Sequence, residues 1–202
     1  MSHAASMPGF RPEETTIRQD WPALSRHLAA AGFRFAPEPA PRQFSGGFGN
    51  LNYLLEIDGK PWVLRRPPLG PIPPGANDMA REHKVLNALE GAFPLAPRAL
   101  HFSADTAVLG APFLILEYRP GLVIRDTLPA EFCSIAVGPK LSRMLVEIFA
   151  TLHAIDPAKI GLGDFGKPDG FLTRAVEGWA KRATIAGDGE VRRQAVGGLY
   201  KL

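Results

Sequence analysis

Cysteine is almost absent from this sequence. Cys133 is the only one among 202 residues, so no disulfide can form within the chain. Structural metal sites built from several thiolates and redox chemistry between paired thiols are excluded for the same reason. A lone thiol in an apolar context is more often core filler than a nucleophile, so we expect Cys133 to be buried.

Long apolar runs and a strong excess of charge are missing as well. No stretch approaches the roughly 18 apolar residues that cross a bilayer, and the N-terminus has no apolar signal-peptide core. We therefore expect a cytoplasmic protein with no membrane partner. The formal charge of +3 comes from scattered basic residues, which predicts no nucleic-acid partner.

Glycine and proline are plentiful, with 21 and 20 residues, and many stand in connectors. The composition of 46% hydrophobic and 21% charged residues is ordinary for a globular protein. Residues 1–12 are polar and irregular, which predicts a flexible tail. The rest of the chain is expected to fold as short elements joined by stiff loops.

The first half of the chain changes from helical to strand periodicity. Apolar residues at helical spacing predict a helix over residues 20–31, with Gly32 as its stop signal. From Leu51 to Ile57 apolar and other residues alternate, and Asp58-Gly59 separates this run from a second one at Trp62 to Leu64. Both turn residues tolerate positive φ, so the sequence predicts a type I′ hairpin.

The remaining elements follow in the order helix, strand, strand, helix. We predict a helix from Asn77, interpreted as its N-cap, to Glu90, and strands over residues 99–103 and 112–118. A long apolar stripe over residues 139–155 has helical spacing. A linker over residues 120–139 is expected to separate the two parts.

A glycine-rich turn, Ser45-Gly46-Gly47-Phe48-Gly49-Asn50, precedes the alternating strand. Glycines let the backbone approach a ligand and turn its N–H groups toward an anion such as phosphate. Walker and dinucleotide motifs both open a helix, whereas this turn lies between strands. The turn is typical of the hairpin that covers ATP in kinase-type folds, although a plain hairpin turn fits the same residues.

A cation and a carboxylate follow at suggestive positions. Arg65 ends the second run of the hairpin, where kinase-type folds carry a lysine. Glu82 lies on the apolar stripe of the next helix, where it needs a cation to offset its burial. Arg65 is the natural partner if the helix packs on the sheet, but Arg81 or Lys84 could turn Glu82 outward. A structural ion pair and a nucleotide clamp are both consistent with this pattern.

Together these features resemble the aminoglycoside phosphotransferase and choline kinase-like family. The similarity is greatest to the branch joined to, or encoded beside, acyl-CoA dehydrogenases. The segments that carry the resemblance are residues 44–53, 63–68, 81–82, 113–121, 152–156 and 161–172. Agreement is therefore spread over about residues 44–179, which makes it far more specific than any one motif.

The resemblance implies an α+β, protein kinase-like fold. Residues 13–120 would form a small antiparallel-sheet N-lobe with one key helix, and residues 121–202 would begin a helical C-lobe. The implied activity is transfer of phosphate from ATP to a small hydroxylated molecule with Mg²⁺. The implied nucleotide-binding residues are Ser45, Gly46, Gly47, Phe48, Gly49, Asn50, Arg65, Glu82, Glu117 and Tyr118, the last two at the adenine hinge.

The sequence differs from the family in the segment that would carry the catalytic loop. Phosphoryl transfer needs a His-x-Asp-x-x-x-x-Asn loop in this family and a further metal-binding aspartate. Asn87 is the last asparagine of the chain, so no such loop follows it. Asp164-Phe165-Gly166 looks like the kinase metal motif, but an amphipathic helix lies upstream of it in place of a catalytic loop. We therefore predict no catalytic and no metal-binding residues, and a chain truncated before the catalytic loop.

Two functions remain open at this point. One is a phosphotransferase or its N-terminal fragment, binding nucleotide but inactive alone. The other is a noncatalytic module that binds nucleotide, a partner or a CoA-type ligand. The apolar stripe of residues 139–155 would stay partly exposed, which predicts self-association. The small-molecule phosphate acceptor is not specified by these residues.

Overall fold

A computed structural model describes residues 9–46, 49–70, 72, 75–124, 128, 132–134 and 137–186. A five-stranded antiparallel sheet with the order β1-β2-β3-β5-β4 is its centre. The strands are β1 (Arg42–Gln43), β2 (Leu51–Ile57), β3 (Lys60–Arg66), β4 (Ala99–Ser103) and β5 (Phe113–Glu117). The helices are α1 (Trp21–Ala30), α2 (Met79–Leu89), α3 (Thr106–Leu109), α4 (Val137–His153) and α5 (Phe171–Ala186).

The predicted hairpin between β2 and β3 is present. Asp58 and Gly59 have φ values of 50° and 72°, as a two-residue turn of this type requires. The register pairs Tyr53 with Leu64 and Asn52 with Arg65. Because directly opposed residues share a face of the sheet, Tyr53 lies on one face while Arg65 lies on the other.

The main core lies between α1 and one face of the sheet. Asp20 caps α1, since its side chain accepts a 2.8 Å hydrogen bond from Ala23 N. The helix buries Leu24 and Leu28 completely, against strand residues that include Tyr53 and Leu64. This layer supplies most of the buried apolar surface of the described residues, and we call its side of the sheet the α1 face.

The opposite side of the sheet, the α2 face, carries a smaller apolar cluster of Met79, Leu114 and Leu116. The helix α2 begins one residue later than predicted. Asp78, whose side chain accepts a 3.0 Å bond from Arg81 N, is its N-cap. The prediction of Asn77 as the cap was wrong, because Asn77 adopts a positive φ of 53° just before the cap.

An additional strand segment comes from the N-terminal part of the chain. Arg11 N donates to Gln43 O and Ser45 N donates to Gly9 O, each at 2.8 Å. Phe10 and Phe44 form the antiparallel bridge between these two bonds. Of the predicted flexible tail, residues 1–8 lie outside the described residues, whereas residues 9–11 are paired with the segment that leads into the glycine-rich turn.

The predicted long helix is present as α4, and none of its side chains is buried. Four apolar side chains on it are about half exposed or more, namely Met144, Leu145, Val146 and Phe149. Cys133, just before this helix, is exposed, so its predicted burial was wrong. None of the helices in the described ranges combines the length and apolar character needed to cross a membrane.

Contacts divide the chain into two compact units, residues 1–156 and 157–202. The second unit contains a short 3₁₀ helix, Pro157–Ile160, and α5. Helix α5 was not predicted from the sequence. The lobe boundary at residue 120 stays a prediction, as do the truncation and the cytoplasmic location.

Candidate nucleotide-binding site

An ion pair joins the sheet to helix α2. Arg65 Nε lies 2.9 Å from Glu82 Oε1, with about 30% of each side chain exposed. Strand alternation places Arg65 on the α2 face, and Glu82 stands in the first turn of α2, where the helix dipole favours a negative charge. The ion pair expected from the sequence is therefore present, and Glu82 faces Arg65.

The same guanidinium also reaches two asparagines near the glycine-rich turn. Arg65 Nη1 donates to Asn52 Oδ1 at 3.3 Å. With the Asn50 amide oriented so that Oδ1 faces Arg65, that oxygen accepts from Nη2 at 2.7 Å. Three acceptors from two chain segments thus engage Nε, Nη1 and Nη2. The planar fork of arginine is suited to this, whereas a lysine ammonium is a single point of contact.

A second link to the turn comes from the residue before the α2 cap. Asn77 Nδ2 donates to Gly49 O at 2.5 Å. In the alternative orientation of the Asn50 amide, Asn77 Nδ2 also donates to Asn50 Oδ1 at 2.7 Å. Sequence reasoning missed this contact, because it interpreted Asn77 as a cap. The local signal was that Asn77 and Asp78 are both capping residue types. Only one of them can cap α2, so the other side chain is available for a different contact.

The glycine-rich turn is partly described. Gly47 and Phe48 lie outside the described residues, while Ser45, Gly46, Gly49 and Asn50 are placed. Ser45 N–H is already bonded to Gly9 O at 2.8 Å, so this donor is not directed to a ligand. The Ser45 hydroxyl and the turn beyond it remain the part that could contact phosphate.

Two aromatic rings lie where the turn approaches the predicted hinge. The Phe44 and Tyr118 rings are nearly parallel, with an interplanar angle of 21° and centroids 6.4 Å apart. The Phe10 ring also stacks on Phe44, with the two ring centroids 4.9 Å apart. Tyr118 is therefore close to Phe44, the residue that precedes the turn, while its role at the hinge stays a prediction.

The other predicted hinge residue, Glu117, is occupied differently. Its cross-strand partner is Trp62, so its side chain leaves the sheet on the face opposite to Arg65. Glu117 Oε2 accepts from Arg98 N and from Arg119 Nη2, each at 3.1 Å. The backbone N–H of Arg98 is the main reason that the pKa of Glu117 lies below its usual value. The carboxylate fixes the loop before β4, and the Glu117 N–H also donates to Arg98 O at 2.8 Å, so neither group is directed to a ligand.

The described side chains were compared with the ligand sets that hold metal ions in proteins. Within the described ranges there is no group of three or more His, Cys, Asp or Glu side chains placed to hold a metal ion. Glu82 is the carboxylate beside the turn, and it is engaged by Arg65. The described residues around the turn therefore do not form a fitting site for Mg²⁺.

The sheet order, together with an arginine and a helix carboxylate beside a glycine-rich turn, defines the class of the fold: it is a kinase-like phosphotransferase fold. A crystal structure from Ralstonia eutropha, described provisionally as an aminoglycoside phosphotransferase, matches with a TM-score of 0.64 and 30% sequence identity. The match covers 86% of this chain and 50% of that one.

The chain belongs to the phosphotransferase enzyme family, whose model matches residues 40–198. The resemblance identified from the sequence is therefore confirmed. Acyl-CoA dehydrogenase family member 11 of Gallus gallus is 32% identical over 187 residues, and family member 10 of Mus musculus is 28% identical over 182 residues. Each alignment covers 89% of this chain, but only 23% and 17% of those relatives.

Proposed function

We propose that this chain binds ATP through the glycine-rich turn and Arg65, as the nucleotide-binding part of a small-molecule phosphotransferase. The observation that carries the proposal is the ion pair between Arg65 and Glu82, together with the link from Arg65 to Asn50 at the end of the turn. A cation held this way is preorganised, so little side-chain entropy is lost when phosphate binds.

Each part of the site has a role in this proposal. The turn and Arg65 bind the phosphates, and Glu82 keeps the guanidinium in place. Phe44 and Tyr118 offer ring faces beside the adenine, whereas the N–H of Glu117 donates to Arg98 O at 2.8 Å and is assigned no contact with it. Phosphates favour an arginine fork because its N–H groups match two oxygens at once.

Phosphate transfer is not assigned to these residues. It requires an aspartate that orients the attacking hydroxyl and further side chains that hold Mg²⁺. No asparagine follows Asn87, so the chain contains no family-type catalytic loop after the sheet. We propose that the 202 residues alone bind ATP without transferring its γ-phosphate, and that Mg²⁺ contributes little to the affinity.

Nucleotide-dependent thermal stability tests this proposal. A ligand that binds the folded state stabilises it by RT ln(1 + [L]/Kd), about 2.7 kcal/mol at one hundred times Kd. We expect millimolar ATP to raise the melting temperature with or without Mg²⁺. The increase should disappear in Arg65→Ala and persist in Arg34→Ala, a control that removes another arginine ion pair, 3.0 Å long, at the far end of the hairpin.

The outcomes separate the two function classes. No shift with ATP in a well-folded sample would overturn nucleotide binding. Stabilisation by coenzyme A alone would instead support a noncatalytic module for a CoA-type ligand. Release or transfer of labelled γ-phosphate by the purified chain would contradict the absence of catalysis.

A further inference from the structure

We infer that Asn77 is a positioning residue, which fastens the glycine-rich turn to the start of helix α2 and so sets the affinity for nucleotide phosphates. This inference rests on the proposed function for its consequence, but the contact itself does not. Asn77 Nδ2 donates to Gly49 O at 2.5 Å and lies 2.7 Å from the nearer end of the Asn50 side-chain amide.

The backbone at Asn77 is shaped for this contact. Its φ of 53° lies in the left-handed region, where asparagine is tolerated better than most residues. The adjacent Asp78 already caps the helix, so the Asn77 amide is not needed there. Asn77 is partly buried but Gly49 is exposed, so the bond between them forms in competition with water.

The bond also orients a donor. In a trans peptide the carbonyl and the following N–H point in opposite directions. Holding Gly49 O against Asn77 therefore turns the N–H of Asn50 away from α2. Backbone N–H groups of a glycine-rich turn are the donors that bind phosphate in such sites.

The same helix end thus controls both halves of the phosphate site. Asn77 precedes the cap of α2 and contacts the turn, while Glu82 in the first turn of α2 holds Arg65. A displacement of this helix end would move the turn and the partner of Arg65 together. Phosphate affinity should therefore depend on Asn77, although its side chain is assigned no contact with the ligand.

Substitution by glycine isolates the side chain. Asn77→Gly removes the amide while keeping a residue that adopts positive φ without strain. Asn77→Ala removes the amide and adds backbone strain, so the two variants should bind ATP alike but differ in thermal stability. Asn87→Ala is the matched control, because it removes an asparagine of helix α2. The side-chain amide of Asn87 lies 2.9 Å from His83 Nε2.

Titration calorimetry with ATP and with adenosine is the test. We expect Asn77→Gly to weaken ATP about tenfold and to leave adenosine within about twofold, as expected for the loss of one positioning hydrogen bond, to Gly49 O. Asn87→Ala should match the wild type for both ligands. Equal ATP affinity in Asn77→Gly and wild type would overturn the inference, and so would an equal loss for adenosine.

Amide hydrogen exchange without nucleotide tests the contact separately. The N–H groups of Gly49 and Asn50 should exchange faster in Asn77→Gly than in wild type, while amides of α1 stay unchanged. Unchanged exchange at the turn would overturn the positioning role. If the wild type binds no ATP, the proposed function and the effect on affinity both fail, and the exchange result still decides whether Asn77 holds the turn.

Discussion

The two faces of the sheet treat adjacent arginines in opposite ways. Arg65 is about one third exposed and pairs with the Glu82 carboxylate on the α2 face. Arg66 is only 4% exposed on the α1 face, and its partners are neutral oxygens. Arg66 Nη1 donates to Gln19 Oε1 at 2.6 Å and to Leu109 O at 2.5 Å. Strand alternation alone separates the two environments.

The difference shows where stability and binding each reside. On the α1 face the network continues from Gln19 Nε2 to the Tyr53 hydroxyl, which donates to Ile17 O at 2.7 Å. Burial lowers the pKa of Arg66 and raises the pKa of Tyr53, because both charged forms lose hydration. The polar groups of this network are buried and hydrogen-bonded, whereas the Arg65 cation on the α2 face is about one third exposed and can still contact an anion.

The largest expected effect is on the closed face. Arg66→Ala leaves Gln19 and Leu109 without their donor and opens a cavity, so we expect the free energy of unfolding to fall by about 2–4 kcal/mol. Urea unfolding followed by circular dichroism measures it. A loss below about 1 kcal/mol would mean that the α1 face does not depend on this network.

On the open face the effect should appear in binding. Lysine cannot engage Glu82, Asn52 and Asn50 at once, so Arg65→Lys should weaken ATP about tenfold. Stability should change by less than about 1 kcal/mol, because the ion pair is partly exposed. Calorimetric titration and urea unfolding on the same preparation give both numbers. Wild-type affinity in Arg65→Lys would contradict a site adapted to arginine.

We expect the stability of the α1 face to decrease at acidic pH. His101 Nε2 lies 3.0 Å from His27 Nε2, between helix α1 and strand β4. Burial lowers the pKa of His101 below 6.5, and the nearby His27 and His83 act in the same direction. The unfolded chain therefore binds the proton more readily, so stability is retained above about pH 6.5 and lost as the pH falls below it.

Unfolding in urea at about pH 7.5 and about pH 5.5 measures this loss. His101→Gln removes the titrating group, so the difference between the two pH values should be smaller than in wild type. An equal difference in both proteins would assign the acid sensitivity to another group.

The smallest effect is expected at the far end of the hairpin. Arg34 pairs with Asp58 at 3.0 Å, but the Arg34 side chain is 90% exposed. Because such pairs are well solvated, Arg34→Ala should change stability by less than about 0.5 kcal/mol. ATP affinity should be unchanged, and an appreciable loss would show that the turn is sensitive to the whole hairpin.

Local chemistry made much of this fold predictable. The Asp58-Gly59 pair specifies its own turn, and the alternation from Leu51 to Ile57 determines which residues share a face. The position of Glu82 on the apolar stripe of α2 made Arg65 its natural partner, although Arg81 and Lys84 stayed open until the structure showed the pair. The family resemblance supplied the assignment of the glycine-rich turn to a nucleotide, which stays a prediction for each residue.

The features that were missed depend on distant partners. Asp78 is the helix cap, and the Asn77 side chain instead bonds Gly49, 28 residues earlier in the chain. Glu117 stays a predicted hinge residue, but the bonds of its carboxylate to Arg98 and Arg119 were not predictable from the strand pattern. Gly9 to Arg11 carry no periodicity from which a strand could be inferred.

That short N-terminal segment has a consequence for handling the protein. It occupies the outer edge of β1, where unpaired N–H and C=O groups would otherwise be open to pairing with another chain. Trimming the chain to start after Arg11 would remove this protection and take Phe10 from its stack on Phe44. Shortened preparations should therefore aggregate edge to edge, and they would misrepresent the site that the full sequence builds.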